Sequence, residues 1–301
     1  MRIPAIILSY DDNHAYAAHL IHRYQELWPG HPFQFVLPYQ SGAGLAAWQG
    51  EGQLLKGRDL PITLVQSPPA IKATVLTLLQ AYADDQWIYW CIDDKYPLLL
   101  DRIFLERLSH AIATDALTDI HGICFCRSRQ LATGKALMAN GLGLWQARCH
   151  PLAGPLLRRK NFAQIWLHQY IRVGVLRSLF EAFPDEIAAA KDLDRLKRLI
   201  PLRSEHHLYV TAGHYASFGE STTRGLVTRN CAESMANSGI AAPTPHRCSN
   251  RDIIIGSGRA HRRPDRWLRS MASIAYASWQ DGFRRGRKAI TRAARTRPWL
   301  R

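Results

Sequence analysis

The alternation in its first half most constrains what this chain can fold into. Short apolar runs, each long enough for one strand, are separated by segments with helical spacing. "PAIILSY" (4–10) precedes "NHAYAAHLIHRYQELW" (13–28), where Ala17, Leu20, Ile21, Tyr24 and Leu27 fall on one helical stripe and Asp12 or Asn13 is placed to cap the start. "FQFVLPY" (33–39) and "PITLVQSP" (61–68) read as strands, with the Gly-rich "SGAGLAAWQGEGQ" (41–53) as a loop between them. "AIKATVLTLLQAYADD" (70–85) is helical and leads into the strand "WIYWCI" (87–92). "LLLDRIFLERLSHAIATD" (98–115) reads as a helix and "DIHGICFC" (119–126) as another strand. This β-α-β order predicts an α/β fold: an open, mostly parallel sheet flanked by helices. Such sheets gather ligands beyond the C-terminal ends of their strands, where Asp11, Asp12, Asp93 and Asp94 lie.

The second half is less regular. "NFAQIWLHQYIRVGVLRSLFEAF" (161–183) reads as a strand or turn followed by a helix. "PDEIAAAKDLDRLKRLI" (184–200) reads as a helix with Pro184 near its first turn and Asp185 and Glu186 at its positive end. Asp192 and Asp194 stand beside Lys191, Arg195 and Lys197, as helix-face ion pairs do. "HHLYVTAGHYASFGESTTRG" (206–225) reads as a strand and an extended loop, after which Thr228 or Asn230 is placed to cap a short helix.

The chemistry concentrates where the run from Trp87 to Ile92 meets Asp93 and Asp94. Two ionised carboxylates at the edge of a core repel each other, so they require a cation, a set of donors or open water. A hard divalent cation such as Mg²⁺ or Mn²⁺ takes carboxylate oxygens and completes its shell with substrate phosphates. An exposed strand-end turn closed by Pro97 explains the same residues, and both readings stay open on composition alone.

"YWCIDDKYPL" (89–98) resembles the nucleotide-sugar glycosyltransferases of the GT-A type, in which an apolar strand ends in a DxD-like motif that holds a metal and the nucleotide diphosphate. It departs from strict DxD, because Ile92 or Lys95 stands in the place of one acid; Lys95 is then available to a phosphate. "GHYASFGESTTRGLVTRNCAESMANSGIAAP" (213–243) is similar to the end of the catalytic domain in bacterial glycosyltransferase-like proteins. The resemblance implies a GT-A-like fold and transfer of a sugar from a nucleotide-diphosphate donor to a hydroxyl acceptor on a cell-surface glycan or its lipid-linked precursor. It implies Mn²⁺ or Mg²⁺ on Asp93 and Asp94, with His214 as a further ligand. Asp11 and Asp12 would meet the nucleotide base and ribose, and Lys72 a phosphate. One of Asp185, Glu186 or Glu220 would contact or deprotonate the acceptor. "QIWLHQY" (164–170) offers Trp166, His168 and Gln169 to an acceptor pocket or, equally, to the core. Each of these positions also has an ordinary structural reading: a cap for Asp11 or Asp12, a solvated Lys72, a loop His214.

Charge divides the chain. Residues 251–301 hold 14 Lys and Arg against 3 Asp and Glu, while the remainder holds 25 against 21, so the basic character belongs to a tail. The expected organisation is a catalytic domain over 1–248 and a basic, partly amphipathic helical extension over 249–301. On a helix Leu268, Met271, Ala275, Trp279 and Phe283 form an apolar stripe beside many Arg residues. Such a stripe suits an anionic membrane surface, and nucleic acid is the weaker partner because phosphate contacts need fewer aromatics. No run approaches a membrane span, and the short apolar start before Asp11 reads as a first strand rather than a signal peptide. The six cysteines form no CxxC pair, which favours reduced core cysteines in a cytoplasmic protein, peripheral at the inner face of the membrane. The alternative function is a non-catalytic protein of the same fold that uses the tail on a membrane or nucleic acid.

Overall fold

The computed structural model describes residues 2–55, 61–125, 147–159, 161–185, 190–197, 199–211, 215–223, 225–243, 247–250 and 252–255. The first strand, β1 (Ile3–Leu8), is buried along its whole length, as its unbroken apolar run requires of a central strand. It pairs in parallel with β2 (Phe33–Tyr39) on one side and with β4 (Trp87–Ile92) on the other; β3 (Ile62–Gln66) extends the sheet beyond β2, also in parallel.

Beyond β4 the pattern becomes mixed. β9 (Gln169–Arg172) runs antiparallel between β4 and β6 (Gly122–Cys124). β10 (Leu208–Thr211) is parallel to β6, and the antiparallel pair β8 (Gly154–Arg158) and β7 (Ala147–His150) closes that side. The order across nine strands is β3-β2-β1-β4-β9-β6-β10-β8-β7. A second sheet, β14 (Ile254–Ile255), β11 (Ala216–Glu220) and β5 (Lys95–Leu100), is antiparallel; β12 (Thr222–Thr223) and β13 (Leu226–Val227) form a small hairpin.

Helices cover both faces. α1 (His14–Leu27), α2 (Gly42–Leu55), α4 (Arg102–Ala113) and α7 (Arg229–Asn237) bury residues with one core layer, which includes Leu20, Tyr24, Trp48, Phe104, Leu108 and Met235. α3 (Ile71–Leu79) and α5 (Val173–Glu181) bury Ile71, Val75, Leu78, Leu176 and Phe180 in the other. The expected stripe of α1 is the buried one: Ala17, Leu20, Ile21 and Tyr24 are within 1% of fully buried. α6 (Ala190–Leu196) carries the Asp192–Arg195 and Asp194–Lys197 ion pairs read from the sequence.

Two elements differ from expectation, both because tertiary contacts override local propensity. The Gly-rich 41–53 stretch is the helix α2, not a loop; Trp48 anchors it in the core, and its first turn is capped by Ser41, whose Oγ accepts from Gly44 N at 3.0 Å. Leu98–Leu100 belong to β5 because β11, far away in sequence, pairs with them; the helix starts only at Arg102, where Asp101 accepts from Phe104 N at 3.0 Å. The folded body also runs past the expected boundary at 248. Ile255 pairs with Phe218, and Asp252 is ion-paired with Arg229. Residues 256–301, and with them the expected amphipathic tail, lie outside the described residues.

Candidate active site

The strand order places a switch point between β1 and β4: the chain winds from β1 outward to β3, then returns to the far side of β1 as β4. Connections leave the two neighbours in opposite directions, which opens a crevice at their C-terminal ends. Ser9, Tyr10, Asp93 and Asp94 lie there. The Asp93–Asp94 turn is also where the chain leaves the large sheet at Ile92 and enters the small one at Lys95.

Asp93 extends the β1–β4 ladder by one bond, its N–H donating to Leu8 O at 3.1 Å. The residue is 5% exposed and its carboxylate accepts from Ser9 Oγ at 2.7 Å, while the Asn13 side chain acts on it as a stabilising donor. Burial is the main force on it and pushes its pKa up to about 7; Asp94 pushes the same way, while the Ser9 and Asn13 donors and Lys95 oppose them. Asp94 is half-exposed, and its Oδ1 lies 2.6 Å from Lys95 Nζ. Lys95 is 8% exposed and stands opposite Glu220 in the β5–β11 ladder. Burial alone would lower the Lys95 pKa, but Asp94 and Glu220 together hold it above the usual lysine value. Tyr10 and Tyr16 are each pushed up to about 12, chiefly by burial, with Asp93 among the charges adding to the effect, so both phenols stay neutral donors.

The segment after β11 closes on the same turn. Ser221 N donates to Asp94 O at 2.6 Å, and Ser221 Oγ to Asp93 O at 3.3 Å. The two stretches that carry the sequence resemblance, separated by more than a hundred residues, therefore meet at one corner. Gly219 is required there: a Cβ on it would lie 2.5–2.7 Å from the Tyr96 ring.

The corner holds three carboxylates, Asp93, Asp94 and Glu220, against one ammonium, Lys95. That donor set is all oxygen and its excess charge is negative, so it fits a hard divalent cation. Among the described residues no group of three or more His, Cys, Asp or Glu is arranged to hold a metal ion unaided. A cation here would draw Asp93 and Asp94 from the protein and its remaining ligands from phosphate oxygens and water, the usual manner for Mg²⁺.

Other expected residues are placed elsewhere or engaged otherwise. Asp11 has both carboxylate oxygens committed to the fold: Oδ1 accepts from Gln40 N at 2.8 Å and Oδ2 from Ser41 Oγ at 2.6 Å. It thereby ties the end of β1 to the start of α2. Asp12 is exposed. Lys72 does not face the acidic turn; its ammonium donates to Phe183 O at 2.6 Å and pairs with Asp185 Oδ1 at 2.6 Å, joining α3 to the segment after α5. Asp185 is thus a partner of Lys72 rather than of the Asp93 corner. Glu186 and His214 lie outside the described residues.

His168 and Gln169 are core residues. His168 Nε2 donates to Lys95 O at 3.0 Å, while Nδ1 lies 2.8 and 3.1 Å from the phenol oxygens of Tyr24 and Tyr89, which are hydrogen-bonded to each other, so that one of the two phenols donates to it. Trp166 Nε1 donates to Asp194 at 3.1 Å.

Sequence reasoning passed over Ser9, Tyr10 and Ser221, and read Asn13 only as a cap. Asn13 makes no side-chain cap bond to α1; it acts instead to lower the pKa of Asp93. The available signal was position: Ser9 and Tyr10 end the strand next to the one that ends at Asp93.

No family model and no curated protein matches the sequence. Among solved structures the chain is similar to TarS of S. aureus, residues 1–349, at 15% identity over 72% of this chain and 60% of that one, with a TM-score of 0.40. It is similar to the galactosyltransferase LgtC in complex with donor and acceptor sugar analogues at 15% identity, 91% and 96% coverage and a TM-score of 0.40. A third is the mannosyltransferase PcManGT from Pyrobaculum calidifontis in complex with GDP-Man and Mn²⁺, at 15% identity, 74% and 58% coverage and a TM-score of 0.39. The chain thus spans 60% and 58% of the length of the first and third. At these values the likeness concerns the arrangement of elements, and the architecture rests on this chain's own strand order and register.

Proposed function

We propose that the protein is a GT-A-like glycosyltransferase that moves a sugar from a nucleotide-diphosphate donor to an acceptor hydroxyl. The observation that carries this reading is the Asp93–Asp94 turn at the switch point between β1 and β4, with more negative charge than Lys95 neutralises. A diphosphate is repelled by such a corner unless a further cation accompanies it. Mn²⁺ or Mg²⁺ held by Asp93 and Asp94 would supply that charge and stabilise the departing diphosphate.

The chain's own groups have definable tasks. Ser9 and Asn13 fix the Asp93 carboxylate, and Ser221 fixes the backbone of the turn. Tyr10 lines the donor side as a neutral phenol. Lys95 holds the Asp94 carboxylate in place through their 2.6 Å ion pair. Glu220 is the described carboxylate that shares this corner from the opposite strand, and we assign it the acceptor side. His214 is retained as a proposed further ligand, and Glu186 as an alternative acceptor-side acid. The acceptor proposed is a glycan or lipid-linked glycan, reached at the inner membrane face through the basic tail. No helix among the described residues is long and apolar enough to cross a membrane.

Calorimetry of nucleoside diphosphates and their sugar esters, with Mn²⁺, with Mg²⁺ and with chelator, tests the reading. Cation-dependent binding lost in both Asp93→Ala and Asp94→Ala is expected, with the far-ultraviolet dichroism unchanged. Cation-independent binding of equal strength in both variants removes the metal-clamp role.

A further inference from the structure

Arg159 is a buried cation that the reading above does not use. It directly follows β8, where its N–H extends the ladder to Leu208 O at 2.8 Å, and its side chain is 2% exposed. Nη1 donates to Gln169 Oε1 at 2.8 Å. Gln169 is itself fixed, because its Nε2 donates to the carbonyls of Gln164, Ile165 and Leu167 at 3.0–3.1 Å. Nε and Nη2 of Arg159 are buried and have no hydrogen-bond partner among the described residues. Among the described residues the ionisable neighbour acting on the guanidinium is the Cys124 thiol, not a carboxylate.

The two donors without partners are not a random pair. In a planar guanidinium, Nε–H and the nearer Nη–H form one edge with two parallel donors, the edge that fits a carboxylate or phosphate in bidentate fashion. The opposite edge is the one Gln169 occupies. A buried guanidinium without a counter-charge is strongly unfavourable, and an apolar side chain of similar volume fills such a place without that penalty. Each buried donor without a partner calls for an explanation, an ion or water being the usual one.

We propose that Arg159 is a receptor for a terminal oxyanion, a carboxylate or a phosphate, gripped by the Nε–Nη2 edge and oriented by Gln169. The site is separate from the diphosphate crevice: Gln169 is opposite Trp90 in the β4–β9 ladder, three residues short of Asp93. That is roughly 10 Å along the strand at about 3.3 Å per residue. The guanidinium is enclosed, so the proposed ligand is one with a small charged end. The assignment does not depend on glycosyl transfer.

Thermal unfolding of the full chain in chelator, at constant ionic strength set with chloride, tests it with two probes, inorganic phosphate and acetate. The wild type is expected to gain several degrees in saturable fashion with at least one probe, since a ligand that binds only the native state raises the melting temperature. A response to acetate alone assigns a carboxylate, and a response to phosphate alone assigns a phosphate. Arg159→Met is expected to lose the response while remaining at least as stable in chloride. Arg159→Lys keeps the charge without the fork and is expected to lose most of the response; it carries the test if the Met variant fails to fold. No saturable rise in the wild type, or the same rise in either variant, overturns the proposal.

Discussion

Asp93 is held where its surroundings oppose its own charge. Burial lifts its pKa from 3.8 to about 7, against the pull of the Ser9 and Asn13 donors. The folded state therefore binds this proton more tightly than the unfolded chain. Its contribution to stability is fully present below the unfolded value and is lost as pH rises through about 7, a swing on the order of 4 kcal/mol. Asp93→Asn removes the buried charge while keeping an acceptor for Ser9. At pH 8 the variant is expected to melt several degrees above the wild type, with a smaller gain at pH 5, where the folded Asp93 is protonated but the unfolded chain is still ionised, the gap closing only below the unfolded value of 3.8. Equal melting temperatures at pH 8 would show that water or a bound cation already relieves the charge. Lys95 gives a second residue-scale prediction. Its ammonium competes with any cation for Asp94, so Lys95→Met is expected to bind Mn²⁺ alone about tenfold more tightly by calorimetry, an estimate for one lost charge at partly screened contact. Weaker Mn²⁺ binding would mean that Lys95 positions Asp94 rather than competing for it. The pair Asp93–Asp94 was legible in the sequence because an apolar strand must end somewhere and acids at that end are conspicuous. Asn13 was not, because an Asn before a helix is read as a cap; only the side-by-side placement of β1 and β4 lets it act on Asp93.

At the scale of elements, what decides the site is the exit of the chain from one sheet into another. β4 ends in the nine-stranded sheet, and β5 begins after two intervening residues, paired with β11. The junction is fixed from beneath by His168, which donates to Lys95 O, and from above by Ser221. Strands with long apolar runs, such as β1 and β4, were readable because both faces are buried. β5 was not, because its sequence continues smoothly into α4, and its strand state depends on a partner more than a hundred residues away. α2 was hidden for the converse reason: its glycines argue for a loop, while the Asp11–Ser41 cap and buried Trp48 supply what local propensity lacks. The tightness of the junction is testable at Gly219. A methyl group there meets the fully buried Tyr96 ring, so Gly219→Ala is expected to lose about 1–3 kcal/mol in urea unfolding. The companion Tyr96→Leu, Gly219→Ala double variant is expected to lose less than the sum of the single losses, since the clash is with that ring. Simple additivity would place the strain elsewhere.

Over the whole molecule, the response to acid is set by groups that pull in opposite directions. His19 and His168 are pushed down to about 3 and His31 to about 4, in each case chiefly by burial. These imidazoles fold neutral. Their stabilising contribution is present above the unfolded value of 6.5 and is lost as pH falls toward the folded values. Asp93 has the opposite sign over the same window, because its proton is bound in the folded state and absent from the unfolded one. Near pH 5 these three histidines gain protons on unfolding and Asp93 releases one, a net uptake of about two from these four groups; His121 and His206, also lowered chiefly by burial, act in the same direction. The slope is then ~2.7 kcal/mol of stability lost per pH unit of acidification. The protein is therefore expected to be markedly less stable at pH 5 than at pH 7, with urea midpoints falling steeply between them. Asp93→Asn removes a group that opposes the histidines, so its slope is expected to steepen by about one proton; His168→Gln is expected to flatten it by about one. His168 spans Tyr24, Tyr89 and Lys95, which link α1, β4 and the junction, so its protonation breaks contacts in three elements at once. A flat stability profile from pH 7 to pH 5, or a slope that the His168 variant leaves unchanged, would mean that these imidazoles reach water through local opening before the chain unfolds.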